Sequence, residues 1–237
     1  MAHDPYYELV PEPRDLPFDA ARTALLIIDL QYLDAHPDGW MGRLCRAQGR
    51  PDLLNERWEF IDDILPNVRR LQDACRAGGV ELIHIRVKYL TRNNRDGQRS
   101  LAMDEKAVSA TLRDDDFLDA VAPVGDELVV NKTSAGTFNS TALDQILRNM
   151  KINRLWVTGI VTEGCVELTA RDAADRGFYV TLVSDALASS THVAHVDALQ
   201  RMTDGGLIKA RTVDALCAQI AKAREPAPDP HPKVPAG

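Results

Sequence analysis

"RLWVTGIVTEGCVELTARDAADRGFYVTLVSDA", residues 154–186, decides the fold. It opens on an aliphatic and β-branched run of strand length, RLWVTGIV (154–161), and closes on a second, YVTLVSDA (179–186). A helix-like run lies between them. Strands that are nearly continuous in apolar residues are those buried on both faces. Strand, helix and strand in that order build a parallel sheet covered by helices.

The same alternation extends in both directions. Upstream lie TALLIID (23–29), VELIHIRVKY (80–89) and ELVVNK (127–132); downstream lies a weaker sixth run, GLIKART (206–212). Val68, Leu71 and Cys75 recur at helical spacing, and Gly78-Gly79 ends that helix as a C-terminal glycine does. Leu143, Ile146, Leu147 and Met150 follow the i, i+3, i+4, i+7 pattern, with Asn139 or Ser140 as its cap. The expected class is α/β: a three-layer α/β/α domain on a six-stranded, mostly parallel, doubly wound sheet. One domain is expected over 19–224, with an N-terminal arm over 1–18 and a flexible Pro-rich tail over 225–237. Two polar stretches, 33–60 and 90–117, break the alternation and read as insertions over one rim. Loops of that length are more often functional than idle. Trp40, Trp58 and Phe60 in the first are large apolar groups, expected to be buried against the domain or a neighbour.

Composition narrows the function. The chain has 237 residues and a formal net charge of -7, which argues against a nucleic-acid partner, because phosphates call for a basic surface. No apolar run approaches the roughly 20 residues of a membrane span, and the start does not read as a signal peptide. Cys45, Cys75, Cys165 and Cys217 lie far apart, with neither a disulfide framework nor a zinc spacing. Reduced thiols in a cytoplasmic protein are the expectation.

Ligands of open parallel sheets collect outside the carboxyl ends of the strands. The first strand ends there in Asp29, the second in Arg86 and Lys88, the third in Lys132 and the fifth in Ser184-Asp185. The fourth runs into Thr162-Glu163-Gly164-Cys165. Cys75 and Cys217 sit on helices among apolar neighbours, as most free cysteines do. Cys165 instead falls in the first turn after a strand, where backbone N–H groups and the helix dipole favour a thiolate and lower the thiol pKa. The same N–H groups suit an oxyanion. Asp29 could move the thiol proton, and Lys132 could hold Asp29 ionised and steady the thiolate. His192 and His195 read as structural.

LLIIDLQ around Asp29, NKTSAGTFNST around Lys132 and VTGIVTEGCVELTARDAADRGFYVTLVSDA around Cys165 together resemble the isochorismatase-like cysteine hydrolases, from about Thr23 to Leu216. The resemblance implies a triad of Asp29, Lys132 and Cys165. It also implies a cis peptide at Ile160-Val161 and an oxyanion hole from the N–H groups of Val161 and Cys165. A nucleophilic thiol points to C–N cleavage, with no cofactor. The Asp-x-His metal motif of the family's nicotinamidase branch is absent, so no metal is expected. Where biuret hydrolases carry a second lysine, this chain has Ala135.

The function expected is that of a cysteine-dependent amidohydrolase, acting through a thioester on a small carbamoyl or ureido compound (ureidoacrylate-, biuret- or triuret-like) and releasing ammonia. Maleamate or N-carbamoylsarcosine is an alternative substrate; a noncatalytic or redox-sensing thiol protein is an alternative of another class. Expected partners are the substrate and water, with a homo-oligomer, dimer or tetramer, implied by the family. Substrate contacts could come from Gln31, Tyr32, Phe138, Thr162 and Glu163 beside the triad. Arg86, Lys88, Tyr89 and Arg92 could clamp a carboxylate or polarise a ureido carbonyl.

Overall fold

The computed structural model describes residues 9, 16–91, 94–97 and 113–224. The rest of the arm, Arg92 and the Pro-rich tail lie outside them. Among the described residues six strands form one sheet: β1 (Thr23–Ile28), β2 (Glu81–Val87), β3 (Leu128–Lys132), β4 (Arg154–Gly159), β5 (Tyr179–Leu187) and β6 (Ile208–Arg211). Their order is β3-β2-β1-β4-β5-β6, and every strand pairing is parallel. The chain winds outward from β1 to β3, returns to the centre, and winds the other way from β4 to β6. β1 and β4 therefore flank the point where the direction reverses.

Among the described residues seven α-helices accompany the sheet: α1 (Tyr32–Ala35), α2 (Trp40–Ala47), α3 (Asn55–Gly78), α4 (Leu143–Asn149), α5 (Glu167–Asp175), α6 (His192–Thr203) and α7 (Val213–Arg224). Alternation along β1 divides two cores. Ala24, Leu26 and Ile28 pack with Leu143, Leu147, Ala170, Ala173, Ala198 and Met202 of α4, α5 and α6. Leu25 and Ile27 pack with Ile61, Ile64, Val68, Leu71 and Cys75 of α3 and Leu216 and Ile220 of α7. β1 is buried along its whole length, which is why it reads as an unbroken apolar run.

Local devices differ from the sequence reading at some points and match it at others. The stretch 33–60 is largely helical, holding α2 and the first turn of α3, and Trp40 and Phe60 are buried in the domain. α4 is preceded by neither expected cap: the Leu143 N–H is accepted by the Thr141 hydroxyl at 3.2 Å. Gly79, at φ 73°, ends α3 in the left-handed conformation that glycine adopts freely. Where described, the second polar stretch returns to the sheet. Leu118 N donates to Leu30 O and Tyr32 N to Asp116 O, both at 2.9 Å, so 113–121 lies against the exit of β1. Among the described residues no helix is long and apolar enough to cross a membrane.

Candidate active site

The site stands at the carboxyl ends of β1, β3 and β4, at the sheet's point of reversal, where open α/β sheets bind ligands. Asp29 follows β1 in the left-handed region, at φ 54°. Non-glycine residues adopt that region rarely, and such strain collects at functional positions. Its N–H is held by Ile85 O at 2.9 Å. Lys132 closes β3 and, although a lysine, is completely buried. Cys165 sits in a widened helical turn, 162–166, broken at Gly164 (φ -119°, ψ -105°), just ahead of α5. Upstream of that turn the Ile160-Val161 peptide is cis.

Three groups from three strands meet here. Lys132 Nζ lies 2.9 Å from Asp29 Oδ2 and donates to Cys165 Sγ at 3.5 Å and to Ser134 O at 3.1 Å. Both Asp29 oxygens are buried without an aligned hydrogen bond. The ion pair thus holds the carboxylate by charge and leaves lone pairs free for a proton. Burial opposes the Lys132 ammonium, but Asp29 and Cys165 outweigh it, and the lysine is held above its usual range.

The thiol behaves opposite to the sequence reading, which expected its pKa to be lowered. Burial and the negative charge of Asp29 push the Cys165 thiol up; Lys132 opposes them without prevailing. A helix-terminus dipole is a small effect beside desolvation and a neighbouring carboxylate. Forming a thiolate therefore calls for a proton acceptor beside the sulfur.

The remaining expected contacts divide. Tyr89, after β2, is half-buried, and burial, Lys132 and Asp34 all act on its phenol. Gln31 is fully buried and its amide is engaged: Oε1 accepts from Val87 N, while Nε2 donates to Val87 O and Asp114 O. It braces the ends of β1 and β2. Tyr32 faces the outer rim, with the Arg113 guanidinium 4.2 Å over its ring. Phe138 is buried against Phe178. The Thr162 hydroxyl is held by Ala188 O and His195 Nδ1, and Glu163 is held by the Ser189 hydroxyl. Arg86 is spent on Asn131, Asp115 O and the Phe117 ring, and Lys88 pairs with Asp115 at 3.3 Å. Asp185 accepts the Val213 N–H at the start of α7, away from the triad.

Sequence reasoning missed Asp34 and Arg57. Asp34 lies on α1, five residues past Asp29. The buried Arg57 donates through Nε and Nη2 to Asp34 O at 3.0 and 2.8 Å, and through Nη2 to Asp34 Oδ2 at 3.2 Å. Its Nη1 reaches the Ser190 hydroxyl at 3.1 Å. Asp34 Oδ1 is buried and has no partner. The available signal was an acid one helical turn from the β1 exit; its arginine is 23 residues further on, with no local pattern to announce it.

A doubly wound α/β/α domain with a buried acid and lysine and a part-buried thiol at its switch point is the hydrolase-like class this geometry defines. The isochorismatase domain model matches residues 23–214, and the chain belongs to the isochorismatase family. It is 29% identical over 247 residues to the ureidoacrylate amidohydrolase RutB of Stutzerimonas stutzeri, covering 94% of this chain and 93% of that one. It is 33% identical over 123 residues to the N-carbamoylsarcosine amidase of an Arthrobacter species, with 50% of this chain matched and about half of that relative's length spanned, 47%. Its fold resembles a cysteine hydrolase from Pseudomonas syringae pv. phaseolicola, with a TM-score of 0.75, 23% identity, and 91% and 99% of the two chains covered.

Proposed function

We propose that this protein is a cysteine-dependent amidohydrolase that cleaves the C–N bond of a small carbamoyl or ureido compound and releases ammonia. The observation that carries the reading is the meeting of Lys132 Nζ with Asp29 Oδ2 at 2.9 Å and with Cys165 Sγ at 3.5 Å. Amidohydrolase names among the relatives support the reaction class.

In this reading Asp29 takes the thiol proton, and the Cys165 sulfur adds to the substrate carbonyl carbon. The carbonyl oxygen becomes an oxyanion, with the Val161 and Cys165 N–H groups as its donors. Asp29 returns the proton to the nitrogen, the C–N bond breaks, and ammonia leaves a thioester on Cys165. Water loses a proton to Asp29 and adds to the thioester; the C–S bond breaks and the proton returns to sulfur. The sum is amide plus water giving acid plus ammonia. Lys132 keeps Asp29 charged between steps and offsets charge on sulfur. The chemistry is confined to the domain of residues 19–224.

Cys75 and Cys217 pack in the core on the opposite face of the sheet from Cys165, and Cys45 is buried on α2. A redox sensor with a nearby resolving thiol is therefore the weaker reading. Free thiols fit the expected cytoplasmic setting, and exposed Val193 and Val196 on α6 fit a homo-oligomer.

An ammonia-release screen over biuret, triuret, ureidoacrylate, carbamoylated amino acids and maleamate tests the proposal. At least one compound should be turned over, and Cys165→Ala should lower that rate about a thousandfold or more. Unchanged ammonia release in Cys165→Ala, or none from the wild type on any compound, refutes it.

A further inference from the structure

The proposed mechanism uses Asp29, Lys132 and Cys165 and leaves one nearby carboxylate without a task. Asp34 is carried by α1, a short helix that begins three residues beyond Asp29. Its charge acts on Cys165, Lys132 and Tyr89. Arg57 engages the Asp34 carbonyl and Oδ2 and is itself anchored to Ser190. Oδ1 is left buried with nothing to accept from. A buried acceptor without a donor costs free energy and calls for an explanation in a folded protein. A bound molecule that supplies the donor is one such explanation.

Arg57 already offsets much of the carboxylate's charge. What remains is a directional acceptor rather than a full counter-ion site, which suits a neutral N–H donor. A substrate carboxylate placed there would face Asp34 and the lone pairs of Asp29, a repulsion of like charges. Of the cations that sequence reasoning assigned to a carboxylate clamp, the two among the described residues are engaged elsewhere. Arg86 is bound to Asn131 and Asp115 O, and Lys88 to Asp115.

We propose that Asp34 is a specificity-determining residue: its Oδ1 accepts an N–H of a neutral substrate carrying a second amide or urea group, and it disfavours substrates with a carboxylate at that position. The inference deepens the amidohydrolase reading and rests on it. The groups that set the ionisation of Asp34 come from four sides: Arg57 on α3, Asp29 after β1, Lys132 on β3 and the Asp34 backbone itself. Burial is the largest influence and holds the carboxyl up at about 6, against Arg57. The acceptor is thus ionised at neutral pH and is lost by protonation in mild acid.

Biuret and N-carbamoylglycine share a carbamoyl end; one continues into a neutral amide, the other into a carboxylate. Steady-state ammonia release should give the wild type at least a tenfold higher kcat/KM on biuret. Asp34→Asn should lower kcat/KM on biuret about tenfold to a hundredfold, chiefly through KM, and shrink the preference over N-carbamoylglycine. On biuret, the wild-type KM should rise below about pH 6, a limb absent in Asp34→Asn; a residue that only braced α1 would not move it. A wild-type preference for N-carbamoylglycine, or an Asp34→Asn loss equal on both substrates, overturns the proposal.

Protection of Cys165 from iodoacetamide by each compound reads the same preference without turnover. If hydrolysis fails while biuret protects better than N-carbamoylglycine and Asp34→Asn abolishes the difference, the reaction assignment falls and the selectivity stands. If hydrolysis proceeds and protection is equal for both, the selectivity falls and the reaction stands.

Discussion

Asp34 illustrates at one residue how function is set against stability. Its carboxyl ionises in the folded chain at about 6, against 3.8 for a free side chain, because burial penalises the charge more than Arg57 stabilises it. A pKa raised on folding contributes stability that is fully present below the unfolded value and lost as pH rises through the folded one. The window here runs from about pH 3.8 to about pH 6. Above it the ionised carboxylate is a net cost, up to about 3 kcal/mol for a shift of this size. Asp34→Asn keeps an acceptor for Arg57 and carries no charge to desolvate. Urea unfolding at pH 8 should therefore find Asp34→Asn more stable than the wild type by about 1–3 kcal/mol, and at pH 4 the advantage should vanish. A variant less stable at pH 8 would mean that the ionised pair with Arg57 holds the fold together. The residue scale is also where the sequence was least legible. Asp29, Lys132 and Cys165 stand out because each ends or follows an apolar run. The Asp34–Arg57 pairing leaves no local trace, and the raised Cys165 pKa depends on burial and on a carboxylate brought from another strand.

Elements were read more easily than their edges. β1 and β4 are buried on both faces, so their sequences are nearly continuous apolar runs. α3 was read from Val68 onward because its first half interrupts the pattern with acids, with Pro66 and with the buried Arg57. β5 could not be foreseen in detail. Its pairing with β4 passes from Val157↔Leu182 to Gly159↔Leu187, so residues 183–186 bulge away and take Asp185 toward α7. Gly159 is the hinge of that region. Its φ is 113°, and an added Cβ would lie 2.0 Å from Ile28 O, inside the β1–β4 pairing. Gly177, at φ 88°, would meet nothing within 4 Å. Both Ala substitutions carry backbone strain of about 1 kcal/mol or more, but only Gly159→Ala also collides with backbone that cannot move independently of the sheet. Gly159→Ala should lose several kcal/mol or fail to fold, while Gly177→Ala should lose about 1–2 kcal/mol. Equal losses, measured by thermal unfolding, would show that φ alone governs both sites and that the strands can part at Ile28.

At the scale of the whole molecule, the triad is a property of the assembled sheet. Asp29 and Cys165 come from the adjacent strands β1 and β4, but Lys132 comes from β3, with β2 in between. Parallel neighbours are joined by crossovers rather than tight turns, so no short piece of chain holds two members of the site. Lys132 is sealed in the interior, and its ammonium depends on Asp29 for compensation. Separating β3 from β1 would leave a buried cation unpaired, a state costing several kcal/mol. Loss of the site should therefore coincide with loss of the sheet. Trp156 reports on the sheet directly: it lies on β4, is 1% exposed and stacks on Phe18 with ring centroids 5.4 Å apart. With Trp40 and Trp58 replaced by Phe, its fluorescence becomes the only tryptophan signal. Urea titration should then give one midpoint for Trp156 fluorescence, far-ultraviolet circular dichroism and ammonia release, as a cooperative transition requires. Loss of ammonia release at lower urea than the Trp156 transition would place the 162–166 turn in a separately unfolding unit, and the ion pair would then not be what ties the site to the sheet.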